Sequence, residues 1–410
     1  MSDWETTQHF RGMMVIASTV LASLAVAGPG APCAGENLRP NDPLFPQQEA
    51  LFQRIDAFEA WKVTKGDPNV LVGVIETGFD FFHPDLRANL VPGFFAGGNY
   101  HTEFFENVAH GTVVVSLIAA VSNNGIGMTG LAPRCRVLAA SLGMIEHKMA
   151  KRQKKFMQDH PEAGPGEWGK AMRSKENRAE MRSFAREWGH FVCRSTAESI
   201  RYLVDHQVKV INISGLMMRS VLPADSWQTL EDAFAHAREK DVIIVLAAGN
   251  NGVLCEDYPG DPNSVIVAGA TRLDDTRWEE VLDIKGTKIK QGSNFGKRLM
   301  VMAPMENLPV CLPHDRRFYT CEDGPMGPTK QDFHDMYEIS TEGGTSWSAP
   351  IVTSLVALVR SARPDLDARA VVDIIQQGCD DIGDPGYDVY TGYGRVNFGK
   401  TIRVALSSKK

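Results

Sequence analysis

The chain contains no CxxC pair and no cysteine–histidine spacing suited to zinc, so a structural zinc site is excluded at the outset. Its seven cysteines are scattered. Cys311 and Cys321 are close enough in sequence to close a short disulfide loop in an oxidising compartment, and an odd total leaves at least one thiol free. A basic surplus is also missing: the formal net charge is -7 and the pI near 5.9, which gives no footing for a nucleic-acid partner. No internal repeat or low-complexity tract interrupts a composition that is 43% hydrophobic and 23% charged, normal for a globular chain. The apolar run over residues 13–27 falls short of the ~20 residues a membrane span needs. That run ends in Ala25-Val26-Ala27 before Gly28-Pro29, a small-residue cleavage pattern, although Asp3 and Glu5 offset Arg11 in front of it. The expectation is a signal peptide over residues 1–27, a secreted or periplasmic protein, and no stable span in the mature form. The alternative is a short N-terminal helix on a cytoplasmic protein.

What the chain does contain is an alternation of apolar strands with helices. Residues 70–75, 136–141, 208–214, 242–248 and 264–270 read as strands buried on both faces. Helical patterns lie over 48–61, 198–205, 227–239 and 367–377. This alternation predicts an α/β fold, a doubly wound and mostly parallel sheet with helices on both faces, in one domain over residues 28–405. Residues 146–193 differ in character, Lys/Arg-rich with interleaved Glu and broken by Pro161 and Gly164-Pro165-Gly166. They read as a charged helical insertion, a solvated hairpin or else a docking surface for a protein partner. Residues 306–338 read as a polar excursion with proline and glycine.

Chemistry-capable groups fall at the ends of these elements. In Gly343-Gly344-Thr345-Ser346-Trp347-Ser348-Ala349-Pro350, paired glycines permit a tight turn and a hydroxyl residue opens a buried helix. A serine there can attack a carbonyl while helix-start N–H groups receive the oxyanion; alone, the segment reads equally as an N-cap. The first strand ends in Glu76-Thr77-Gly78, the edge at which open α/β sheets bind ligands. His110 opens an apolar helix in Ala109-His110-Gly111-Thr112, and Asn250 follows the strand that stops at Gly249. A lone histidine in that place is ordinarily a packed or capping residue. Carboxylate, histidine and serine together are the minimum set for acyl transfer, and the amide of Asn250 can meet a developing oxyanion.

In this order and setting the chain resembles the subtilisin-like serine peptidases. The resemblance rests on Val74-Ile75-Glu76-Thr77-Gly78 with His83-Pro84-Asp85-Leu86, on His110-Gly111-Thr112, on Ala247-Ala248-Gly249-Asn250, and on Gly344-Thr345-Ser346-Trp347-Ser348-Ala349-Pro350. It implies Ser346 as nucleophile, His110 as general base and then acid, and Asn250 as oxyanion donor. It also implies a cleft lined by Ser214, Gly215, Ala248 and Gly249, where a protein or peptide substrate lies extended. No cofactor is required for the chemistry. The resemblance further suggests a structural calcium held by the side chains of Asp85 and Asn124, the carbonyls of Ile126 and Met128, and Gln47 or Gln48, a mixed oxygen set of the kind calcium takes.

Several positions depart from the family pattern. Its acid is aspartate, whereas here it is Glu76, whose extra methylene displaces the carboxylate by about 1.5 Å unless the backbone adjusts. Asp80 is a weaker substitute, four residues further on. Val113 stands where the family often has histidine, Ser214-Gly215-Leu216 reverses the usual order after the serine, and Trp347 replaces a smaller or more flexible residue. Little chain separates residue 27 from the lead-in at residue 41, so an inhibitory propeptide is not expected. The reading is a serine endopeptidase with a Glu/His/Ser triad. The alternative is a degenerate relative that binds extended peptides or a partner protein without cleaving them.

Overall fold

Runs of valine, isoleucine and alanine pair into one 7-stranded sheet in which every pairing is parallel. The computed structural model describes residues 38–95, 109–142, 155–156, 158–160, 178–215, 217–220, 222–284, 287–313, 320–321, 324–325, 336–341 and 343–409. They belong to the unit Cys33–Lys410. The expected signal segment and most of the insertion lie outside the described residues.

In chain order the strands are β1 Leu71–Glu76, β2 Leu90–Phe95, β3 Arg136–Ser141, β4 Val210–Ile213, β5 Ile243–Ala247, β6 Val265–Thr271, the antiparallel pair β7 Glu279–Ile284 and β8 Thr287–Gly292, and β9 Val301–Pro304. The central sheet runs β2-β3-β1-β4-β5-β6-β9. The chain therefore starts inside the sheet at β1, goes to one edge at β2, inserts β3 between the two, and crosses to the other side of β1 at β4. Strand order reverses between β1 and β4, and in open α/β sheets a crevice forms beyond the carboxyl ends of the strands at such a switch point.

Both sheet faces are covered, and successive side chains alternate between them. Val72 and Val74 of β1, with Val245 and Ala247 of β5, pack in the layer that holds the helices Ala109–Ala119 and Thr345–Ala362. Ile75, Ile244 and Leu246 pack in the opposite layer, against the helices Arg178–Asp205 and Ala224–Glu239. The expected α/β class and doubly wound parallel arrangement stand.

Two boundaries change, and one expected disulfide is absent. The helix expected at 198–205 is the end of a continuous helix, Arg178–Asp205, so the described end of the charged insertion flows into the fold without a joint. Gly189 lets that helix approach Pro223 closely, because a Cβ there would lie 2.3 Å from the proline ring. The excursion is not polar throughout: Leu308–Cys311 is a fully buried strand paired antiparallel with Tyr337–Ser340. Cys311 is a free, buried thiol, so the structure does not form the expected Cys311–Cys321 disulfide. Burial raises the pKa of this thiol well above the ordinary value.

Candidate active site

Glu76 is the last residue of β1, and the residue is 5% exposed at the switch point. Oε2 accepts a hydrogen bond from Nδ1 of His110 at 2.8 Å. Gly111 makes this approach possible: a Cβ there would sit 2.1 Å from the Gly78 carbonyl and 3.0 Å from the Glu76 Cβ. The helix start thus abuts the strand end, and the longer acid reaches histidine despite its extra methylene. Asp80 takes no part in this contact; its Oδ1 accepts from the Phe82 N–H within its own turn. The other oxygen of Glu76, Oε1, is buried and has no partner among the described residues.

His110 stands in the first turn of the helix Ala109–Ala119, its side chain 37% exposed. Burial disfavours the imidazolium, but the charge of Glu76 and its hydrogen bond favour it more, so the pKa of His110 is raised above the ordinary histidine value. The imidazole also lies against the indole of Trp347, the two rings tilted by 50° with centroids 5.4 Å apart.

Ser346 occupies the second position of the helix Thr345–Ala362, entered through Gly344 at φ 58°. A Cβ at Gly344 would lie 2.7 Å from Nδ2 of Asn250, so only glycine admits the amide beside this turn. The Oδ1 of Asn250 accepts from both the N–H and the hydroxyl of Thr345, at 2.9 and 2.7 Å. Two donors fix the amide's orientation, which leaves Nδ2, a pair of N–H donors, directed elsewhere. Like all first-turn groups, the N–H of Ser346 has no intrahelical acceptor.

The helix carries Pro350 four residues after Ser346. Proline has no N–H, so the Ser346 carbonyl lacks its helical donor. The hydroxyl of Ser214, just beyond β4, supplies one at 3.1 Å, and it accepts in turn from Nδ2 of Asn212 at 2.9 Å. Oδ1 of Asn212 receives the Thr353 hydroxyl at 2.9 Å. This buried chain of hydrogen bonds welds the serine helix to the end of β4. Ser346 Oγ itself donates to the Ser214 carbonyl at 3.1 Å, and not to His110.

The sequence thus brings Glu76, His110, Asn250 and Ser346 to one rim of the sheet. Of the four cleft residues, Ser214 and Gly215 border Ser346, and a Cβ on Gly215 would meet only Met217, at 3.7 Å. The polar backbone atoms of Ala248 and Gly249 are engaged internally. Ala248 O accepts from Tyr258 and Asn294, Ala248 N donates to Ala268, Gly249 N donates to Thr345 Oγ1, and Gly249 O accepts from Asn294 N. Among these backbone atoms only the Gly249 carbonyl, with one donor on its two lone pairs, keeps capacity for a further hydrogen bond. Sequence reasoning missed Thr345 and the double role of Ser214; Pro350, four residues after a serine, was the available signal for the second.

The calcium expectation does not fit. Asp85, fully buried, accepts from Asn124 Nδ2 at 2.7 Å through Oδ1, and from Met128 N at 3.0 Å and the Tyr337 hydroxyl at 3.3 Å through Oδ2. Asn124 Oδ1 is held by Ile126 N, and Gln48 is committed through both amide atoms to Thr129. These are donors turned toward a carboxylate, whereas a calcium ion needs six to eight oxygens turned toward itself. Among the described residues no group of three or more His, Cys, Asp or Glu side chains is placed to hold a metal. Burial pushes the Asp85 carboxyl up to about 7.

An acid, a histidine and a helix-start serine thus share the rim of a parallel switch-point sheet. The chain matches the subtilase family over residues 67–394 and belongs to it. It is 27% identical over 361 residues to a thermophilic serine proteinase of Bacillus sp. (strain AK1), covering 87% of this chain and 68% of that protein. It is 24% identical over 367 residues to thermitase of Thermoactinomyces vulgaris, covering 89% and 99%. Among solved structures, fervidolysin from Fervidobacterium pennivorans superimposes with a TM-score of 0.58 at 21% identity, over 92% of this chain and 48% of that one. No helix among the described residues is long and apolar enough to cross a membrane.

Proposed function

We propose that this subtilase, a serine-type endopeptidase, breaks peptide bonds through an ester formed on Ser346, with His110 moving the proton and Glu76 in place of the family's aspartate. The observation that carries the reading is the Glu76–His110 hydrogen bond, with the imidazole lying against Trp347, the residue that follows Ser346 in the chain. To start the reaction the Ser346 hydroxyl leaves the Ser214 carbonyl and turns to Nε2 of His110; catalytic hydrogen bonds commonly tighten only once substrate is bound. His110 takes the hydroxyl proton as Oγ attacks the scissile carbonyl carbon. The oxyanion is met by the Ser346 N–H and by Asn250 Nδ2. Collapse breaks the C–N bond, and the departing amine takes the proton from His110. Water then attacks the ester, its proton passes to His110, and Ser346 recovers it. Throughout, Glu76 holds the ring by Nδ1 and stabilises its charged form.

A substrate lies extended along the Ser214–Gly215 edge. The relatives named as serine proteinase and thermitase support the reaction class. A fluorophosphonate probe is expected to form one adduct, at Ser346, with loss of turnover on a casein-type substrate. A folded protein that neither labels nor cleaves overturns the reading.

The second reading, a peptide-binding relative without turnover, draws on the Ser346 hydroxyl pointing to Ser214 and not to histidine. Wild-type turnover eliminates it. Turnover that emerges only in Glu76→Asp establishes it.

A further inference from the structure

Trp347 directly follows the nucleophile, and its surroundings are more constrained than core packing requires. Its Nε1 donates to Ser340 Oγ at 3.0 Å. One side of the indole packs against Ala270, Trp278 and Met305. Beneath it lies the backbone of Gly343, so close that a Cβ there would sit 1.9 Å from the ring. Gly343 is not in the left-handed region. It is therefore glycine for the sake of the indole, not of the turn. The indole is thus held by a hydrogen bond, a core wall and a bare backbone, and it stands against His110 at 5.4 Å between centroids.

We infer that Trp347 is a positioning residue for His110: the indole is the fixed wall that, together with the Glu76 hydrogen bond, keeps the imidazole in line for Ser346. This rests on the endopeptidase reading above. Glu76 holds His110 through one nitrogen only, and a single hydrogen bond leaves the ring free to swing about it. A rigid surface against the ring removes that freedom. Displacement of a reacting group by about 1 Å can cost on the order of a hundredfold in rate.

The test uses the full chain and three substitutions. Trp347→Leu removes the wall and is expected to lower kcat about ten- to a hundredfold with KM within about twofold. Trp347→Phe retains an aromatic surface and is expected to recover most of that loss. Gly343→Ala lies outside the left-handed region and pushes first on the indole, whose atoms are the three nearest to the new Cβ. It is expected to lower kcat comparably with Trp347 present and to have little further effect in the Trp347→Leu background, a coupling that only a shared action on the indole produces. Should Trp347→Leu fail to fold, Gly343→Ala with and without Trp347→Phe carries the same comparison. A purely structural indole would lower the melting temperature while leaving kcat of the folded protein unchanged, and that result overturns the positioning role. So would equal losses for Phe and Leu, or additive effects of Gly343→Ala and Trp347→Leu. If the wild type itself has no turnover, the endopeptidase reading falls and this inference with it. Wild-type turnover with an unimpaired Trp347→Leu variant overturns the inference alone.

Discussion

Glu76, at the end of β1, and Asp85, in the turn that follows, are both buried carboxylates, yet they are treated in opposite ways. Around Asp85 each carboxylate oxygen is matched by a donor from Asn124, Met128 or Tyr337. The turn is further tied down where His83 Nδ1 accepts the Asp85 N–H at 3.2 Å and His83 Nε2 meets the Met336 carbonyl at 3.3 Å. Around Glu76 one oxygen holds His110 while the other has no partner among the described residues. An unmatched buried acceptor costs roughly 1–3 kcal/mol. The saturated carboxylate is a fastener. The unsaturated one belongs to a rim where Asn250 Nδ2 and the Ser346 N–H likewise have no assigned role until a substrate arrives.

Predictions that break or sharpen this contrast begin with the largest. Replacing Glu76 by Gln keeps the shape but removes the charge. It is expected to lower kcat on the order of a thousandfold or more, as loss of the acid's charge does in serine peptidases. The same change acts on pH dependence. Glu76 raises the pKa of His110 and burial lowers it, so without the charge the acid-side midpoint of kcat/KM moves to lower pH. An unchanged midpoint in the pH–rate profile would separate Glu76 from the histidine.

Asn250→Ala is expected to reduce kcat by about a hundred- to a thousandfold with a small change in KM, the usual consequence of losing one oxyanion donor. A melting curve is needed alongside, because Asn250 also receives both donors of Thr345. Glu76→Asp follows, with an expected loss of about a hundredfold, since the present 2.8 Å contact is built for the longer side chain.

At the other carboxylate the effects should fall on stability and spare turnover. Asp85→Ala strands several donors and is expected to destabilise by about 3 kcal/mol, read from urea unfolding, with kcat per folded molecule nearly unchanged. The smallest effect is expected from a chelator. With Asp85 held by protein donors, EDTA should leave the melting temperature in place to within about 1 °C, where a bound ion in excess of its Kd would contribute a few kcal/mol. A large drop would show that the turn takes up an ion after all.

The elements most visible in the sequence were those with long apolar runs or special turn residues. β3 is read at its observed bounds, and β1, β5 and β6 to within a residue or so, because parallel strands buried on both faces leave uninterrupted aliphatic runs. β2 escaped notice: Leu90–Phe95 carries Pro92 and Gly93, tolerated because it pairs only with β3, at the sheet edge and with a register shift. The helix Arg178–Asp205 was divided because its first half lies in the Lys/Arg/Glu-rich stretch read as an insertion separate from the fold. The closing helix Phe398–Ser407 follows an Asn397 cap whose side chain accepts from Lys400 N, a signal that went unread beside the glycine-rich loop before it.

The sequence alone determined which groups stand at turns and helix starts, because glycine, proline and first-turn hydroxyls act on neighbours a few residues away. It therefore named Glu76, His110, Asn250 and Ser346. Only the tertiary structure decided what each of them touches: His110 meets Glu76 across 34 residues, and Ser346 meets Ser214 across 132. Those contacts depend on strand order, and strand order brings β4 beside β1 and turns the serine hydroxyl toward Ser214. By the same physics Asp85, legible as an oxygen ligand from its turn, is claimed by a tyrosine hydroxyl 252 residues away. Local chemistry chooses the groups, and long-range packing chooses their partners.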